Sequence, residues 1–370
     1  MAARKDGAPS ITRRKLVAGA AAGAVLAASG APAIGQGLKK LKMTLPWLPQ
    51  GSQLWTFVAR EKGFWKKRGL DVEIVRGYGS GAAIQTLVQG QTDVGIIAVP
   101  TIILSQAQGM ATRTFGVVGD ATMGILTLDE SPIKKLKDLE GRKLGSTPTS
   151  VDAACVEAFL QRTGVDGSKV SRVALQGSVL DSSLLNKQVD AISGLGTSNM
   201  PAMLAQGIKL RFFPMSDVGL RTYQVGFTTS ADFAKANRSL VEAWVDGLAE
   251  GIKYYMLNFE ESVDIFVNAV PEVRMSSTGK QHSRYGGGLF LATLIAPETR
   301  EHGIGWGDLK ALNEQTDLMI KFVAPANSKR PEVGAMFTND FAGRMKLSSA
   351  EFEQARKSSE EFAGYLNLRV

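Results

Sequence analysis

Apolar and polar positions along the chain switch repeatedly between a period of two and a period near 3.6, which predicts strands alternating with helices. Residues 41–45 alternate as a short strand. Residues 53–68 set Leu54, Phe57, Val58, Phe64 and Trp65 near one face of a helix. Residues 72–75 return as a strand. Ser80 then stands where a helix N-cap belongs, ahead of Ile84, Leu87 and Val88 at helical spacing and Gly90 as a stop. The unbroken apolar run 94–99 fits a strand buried on both faces of a parallel sheet. Strand–helix–strand order of this kind gives an α/β fold with right-handed crossovers.

The pattern echoes itself. Gly79-Ser80, a helical stretch and Gln91-Thr92-Asp93-Val94-Gly95-Ile96 are matched by Gly177-Ser178, a helical stretch and Gln188-Val189-Asp190-Ala191-Ile192. Two similar halves would produce this, although βα units resemble one another in general. The segment 136–145 leads into a strand and so toward a second lobe, followed by a helix over 150–163 with Val151, Cys155 and Phe159 on one face. Residues 223–228 form a further strand. From Ser230 onward the chain is mainly helical.

Composition narrows the classes. The 370 residues are 44% hydrophobic and 21% charged, enough for about two packed domains and too apolar for global disorder. A single cysteine, Cys155, excludes an internal disulfide framework and a cysteine metal cluster. Two histidines, His282 and His302, leave little room for a Ser-His-Asp triad. The net charge of +8 suggests nucleic acid until it is located. Residues 1–35 carry Arg4, Lys5, Arg13, Arg14 and Lys15 against Asp6, half of the excess. The rest has neither a basic stripe nor a nucleic-acid module.

Those 35 residues have the zones of an export signal: a basic start, an apolar Gly/Ala-rich stretch over 16–28, and Ala31-Pro32-Ala33 as a cleavage site. Arg13-Arg14 followed by Lys15-Leu16-Val17 resembles a twin-arginine signal, with a Sec signal or an uncleaved anchor as alternatives. The expectation is a periplasmic protein, cleaved near Ala33.

Leu45-Pro46-Trp47-Leu48-Pro49, Val58-Ala59-Arg60-Glu61-Lys62-Gly63-Phe64-Trp65 and Gly69-Leu70-Asp71-Val72-Glu73 come in order. Gly79-Ser80-Gly81, Gln91-Thr92-Asp93-Val94-Gly95, the segment 136–145 and Val189-Asp190-Ala191 continue the series. This ordered set resembles the solute-binding proteins of nitrate/sulfonate/taurine ABC importers, nearest their thiamine-pyrimidine-precursor branch. The likeness covers residues 41–258 well and the last hundred loosely. It implies a type II periplasmic-binding fold, α/β throughout, with two lobes, a ligand cleft between them and two hinge crossovers. Lobe one would comprise residues 36–125 and 230–370 and lobe two residues 126–229, with crossovers near 126–129 and 228–230. The implied partners are a small solute and an ABC permease, with the receptor acting as a single copy and needing no cofactor.

In such a fold, ligands sit at strand carboxyl ends against helix N-termini. Gly79, Ser80 and Gly81 permit close backbone approach and supply donors; an ordinary turn with a capping serine is the alternative. In the second lobe Thr147, Thr149 and Ser150 stand in a hydroxyl-rich turn between a strand and a helix, where capping accounts for one or two of them. Ser193 and Gly194 follow the strand 189–192 and otherwise mark a flexible strand exit. Trp47 ends the first strand, where the resembling family places an aromatic wall suited to a planar ring. Gln53 adds an amide, Tyr223 a lining residue, and Trp55 is either Trp47's neighbour or core. No Arg or Lys lies inside the three turns, which tilts the solute from nitrate or sulfonate toward a neutral or ring-bearing compound. Arg76 and Arg221 lie nearby in sequence.

The residues argue against catalysis. The pyrimidine-precursor synthases that share this resemblance depend on a cysteine-rich motif and histidine chemistry. Here Cys155 sits at core spacing and both histidines fall late in the chain. No Walker loop, dinucleotide fingerprint or zinc motif is present. A periplasmic sensor that presents its ligand to a signalling partner is the remaining alternative.

Overall fold

A computed structural model describes residues 37–148 and 150–368. The export-signal reading and Thr149 therefore lie outside the described residues. Among the described residues ten strands form two five-stranded sheets, β1 (Lys39–Thr44), β2 (Leu70–Val75), β3 (Val94–Ala98), β4 (Thr112–Asp120) and β10 (Tyr223–Ser230) in one, and β5 (Met123–Leu128), β6 (Lys143–Ser146), β7 (Ser171–Ala174), β8 (Ala191–Leu195) and β9 (Leu210–Pro214) in the other. The orders β2-β1-β3-β10-β4 and β7-β6-β8-β5-β9 correspond strand for strand. In each, the fourth strand runs antiparallel to both of its neighbours and the other four run parallel to one another. The internal echo thus has a structural counterpart: both copies are a helix followed by the middle strand of a sheet.

The helices on the first lobe's sheet are α1 (Leu54–Glu61), α2 (Ser80–Val88) and α3 (Val99–Ala107); those on the second are α4 (Val151–Arg162), α5 (Gly177–Leu185) and α6 (Gly196–Ala205). After β10 come α7 (Ala231–Ala236), α8 (Arg238–Leu257), α9 (Phe259–Ala269), α10 (Pro271–Met275) and α11 (Gly279–Leu294). They are followed by α12 (Pro297–His302), α13 (Leu309–Phe322), α14 (Val333–Met336) and α15 (Ser349–Ala363). Among the described residues no helix is long and apolar enough to cross a membrane.

The helix expected over 53–68 is shorter. Leu54–Glu61 is helical, then Gly63 takes a left-handed φ of 73° and ends it. The apolar face holds: Leu54, Phe57, Val58, Phe64 and Trp65 are all buried. Trp65 Nε1 donates to Trp244 O of α8 at 3.0 Å, which locks this corner of lobe one. Trp55 belongs to the core, stacked on Phe290 at 6.0 Å with its Nε1 donating to Ser52 O.

The passages between the sheets also shift. They are residues 121–122 and 215–222, because β5 pairs with β8 and β9 whereas β10 pairs with β3 and β4. The expected crossovers near 126–129 and 228–230 fall at the far ends of β5 and β10. Periodicity identifies a strand but not the sheet it joins, so the expected boundaries come one strand late. Both passages enter at the edge where the parallel strands end: Tyr223 lies opposite Asp120, Val225 opposite Ala98, and Met123 opposite Leu195.

Candidate functional site

On lobe one the site edge is built from the loops after β1 and β2. They are stitched together by Leu45 N to Val75 O at 2.9 Å, Gly77 N to Trp47 O at 3.0 Å and Gly79 N to Pro46 O at 2.9 Å. A side chain at residue 77 would collide with Leu45 O, so glycine permits this stitch. It leaves Trp47 45% and Tyr78 71% exposed beside the start of α2. The Arg76 guanidinium lies 4.6 Å over the Tyr78 ring.

Ser80 is not the N-cap. That place belongs to Gly79, whose φ of 111° disfavours any side chain, and Ser80 is the first helical residue. Its Oγ accepts from Ala98 N at 3.1 Å, tying α2 to the end of β3 and leaving the hydroxyl proton available. Gly81 has open space where a Cβ would stand. Gln53 is 5% exposed, and its Oε1 is buried without a hydrogen-bond partner.

On lobe two, β6 ends at Ser146, one residue before Thr147. Thr147 Oγ1 is likewise buried and unpartnered. Ser150 is the N-cap of α4, but its hydroxyl donates back to Thr147 O at 2.9 Å rather than accepting from the helix. β8 runs to Leu195, so Ser193 and Gly194 lie within the strand and not in an exit turn. Ser193 is fully buried and donates to Asp152 Oδ2 at 2.8 Å. Burial raises the Asp152 carboxyl above its ordinary range, opposed by hydrogen bonds that include that of the Ser193 hydroxyl. Gly194 is packed against the Asn199 carboxamide. Tyr223 is buried at the start of β10, its OH accepting from Asp308 N at 3.0 Å, and burial pushes the phenol up to about 12.

The geometry thus brings Trp47, Gly79, Ser80 and Gly81 to one edge, turns Tyr223 toward α13, and commits Ser193 to Asp152. It also reveals residues that sequence reasoning missed. Asn199 Nδ2 donates to Asp181 Oδ1 at 2.8 Å and Asn199 Oδ1 accepts from Leu195 N at 2.9 Å. Burial lifts Asp181 to about 6, with Asn199 opposing it. Gln50 Nε2 donates to Ser198 Oγ, and Gln224 Nε2 to Thr197 Oγ1. No motif announces these pairs, since their members belong to separate elements. Among the described residues no cluster of three or more His, Cys, Asp or Glu could hold a metal ion.

Relatives share this architecture. The alkanesulfonate-binding protein of Xanthomonas axonopodis pv. citri, solved bound to MOPS, superposes with a TM-score of 0.60 at 16% identity, over 82% of this chain and 99% of that one. A putative thiamine biosynthesis protein of Haemophilus influenzae is 26% identical over 157 residues, 42% of this chain and half of that protein's length. The formylaminopyrimidine-binding protein of Halalkalibacterium halodurans is 20% identical over 63% of this chain and 71% of its own. The fold is that of the periplasmic binding proteins. Residues 53–262, more than half of the chain, match the family described as NMT1/THI5 like, and the chain belongs to that family.

Proposed function

We propose that the protein is a periplasmic receptor of an ABC importer, capturing a small organic solute between its lobes and handing it to a membrane permease. One observation carries this reading. Each lobe presents a polar oxygen that is buried and unpartnered, Gln53 Oε1 just before α1 in lobe one and Thr147 Oγ1 just after β6 in lobe two. Such atoms are costly unless a donor arrives. Trp47 and Tyr78 offer ring faces at the same edge, favouring a ring-bearing solute.

A solute that touches both lobes gains contacts only when they close, and so shifts the population toward the closed form. ATP use belongs to the permease complex. A non-catalytic role accords with Cys155, a buried thiol that desolvation, with help from Asp152, pushes up to about 12 and so keeps from forming a nucleophilic thiolate.

Thermal unfolding against alkanesulfonates, taurine, nitrate, aminopyrimidines, flavins and aromatic carboxylates tests the reading. A saturable rise in melting temperature with one class is expected. Trp47→Ala should then abolish the rise for a ring compound without lowering the ligand-free melting temperature. A panel with no response from any member counts against the receptor.

A further inference from the structure

The first turn of α6, in lobe two, is gripped from lobe one at two adjacent hydroxyls. Gln50 Nε2 donates to Ser198 Oγ at 3.1 Å, and Gln224 Nε2 donates to Thr197 Oγ1 at 2.9 Å. The glutamines come from different parts of lobe one, the loop after β1 and the start of β10. Gln50 is braced by its bond to Ser52 Oγ at 3.1 Å. Thr197 is tied on to the first crossover, where its N donates to Thr122 Oγ1 at 3.1 Å and the two hydroxyls lie 3.2 Å apart. Thr122, Thr197 and Gln224 are buried, so water competes poorly for the bonds at that end.

We propose that Gln50 and Gln224 form an interlobe clasp on Ser198 and Thr197 that sets how much of the solute-free receptor stands closed. They are positioning residues: a bond that breaks when the lobes part weighs on the closed form alone, and apparent affinity scales with the fraction already competent to bind. The clasp rests on the receptor reading, but its test needs no solute.

The test uses the full chain without ligand, spin-labelled at Glu73→Cys in lobe one and Lys209→Cys in lobe two, with interlobe distances read by double electron–electron resonance. Replacing both glutamines, Gln50→Leu with Gln224→Leu, should move the population to longer distances and lower the closed-to-open ratio about tenfold, as two ordinary net hydrogen bonds allow. Adding Thr197→Val should shift the distances less in the Gln224→Leu background than in the parental chain, because the shared bond is already gone, whereas a merely structural loss would be additive. A folded double variant with the parental distances overturns the clasp. Should that variant not fold, Ser198→Ala decides from the other side: a shift to longer distances supports the clasp and an unchanged profile overturns it. A solute panel without response would strike the receptor reading and leave this distance measurement standing.

Discussion

Asp93 and Asp190 occupy equivalent places in the two sheets. Asp93 N donates to Lys42 O at 2.9 Å while its Oδ2 accepts from Lys42 N at 2.7 Å. Asp190 does the same with Lys143, at 2.9 Å and 2.8 Å. Each aspartate stands just before the middle strand and pins it to its parallel neighbour. Asp93→Ala and Asp190→Ala should each cost about 1–2 kcal/mol, the loss of a charge-assisted bond at a partly exposed site. Equilibrium urea unfolding checks this, and a loss at one position only would mean that the equivalence is geometric without being energetic.

Gly81→Ala separates stability from binding. A methyl group there meets nothing in the protein, and alanine is the better helix former by about 1 kcal/mol. The melting temperature should hold or rise, while affinity for the solute found by the panel falls at least about fivefold, as expected when a side chain blocks close approach to a helix start. Calorimetric titration reads the second quantity; unchanged affinity removes Gly81 from the site.

Thr147 and Ser193 should divide in the opposite sense. Ser193→Ala takes a hydroxyl from the buried Asp152 and should destabilise by roughly 1–3 kcal/mol. Thr147→Val removes only an unpartnered hydroxyl, so the fold should keep its stability and the solute should bind more weakly. Chemical unfolding and titration of both variants, side by side, give the comparison; equal destabilisation would assign both residues to structure.

Asp181 predicts a pH dependence. Its carboxyl lies near 6 in the folded chain against about 3.9 unfolded, so the folded state holds the proton more tightly. The contribution is present in full below about pH 4 and is lost as pH rises through 6. Asp181→Asn should therefore flatten the stability profile between pH 4 and 6.5, with a gain at pH 7.5 on the order of 1–2 kcal/mol. Thermal unfolding across that range decides, and parallel profiles for the two proteins would refute the assignment.

Most of lobe one's architecture was legible in the sequence because periodicity reports local structure. Val94 to Ile97 are buried as their unbroken apolar run requires, and Leu54, Phe57 and Val58 face the core as their spacing does. The helix start at residues 79–81 was legible too, since glycines around a helix start have a stereochemical reason. Ser80 lies one residue past the cap, and the sequence does not reveal that the end of β3 stands beside it, where Ala98 N donates to its hydroxyl. The apolar pattern alone ends this strand at Ile192, whereas β8 runs on through Ser193 and Gly194, where the glycine makes room for the Asn199 carboxamide. Gln50, Gln224 and Asp181 had no local signal, because each acquires its role from a partner on another element.

The place of β10 bears on the order in which the molecule assembles. The five strands of the second sheet are consecutive in the chain, but the first sheet has β10 wedged between β3 and β4. A chain leaving the ribosome can finish the later sheet while the earlier one still lacks its fourth strand, and the edges of β3 and β4 stay unpaired until residue 230 has appeared. Open edges of that kind are where chains pair wrongly. Closing the first sheet means bringing together segments more than a hundred residues apart, so the sheet whose synthesis begins first must wait for its fourth strand until every strand of the other has been made.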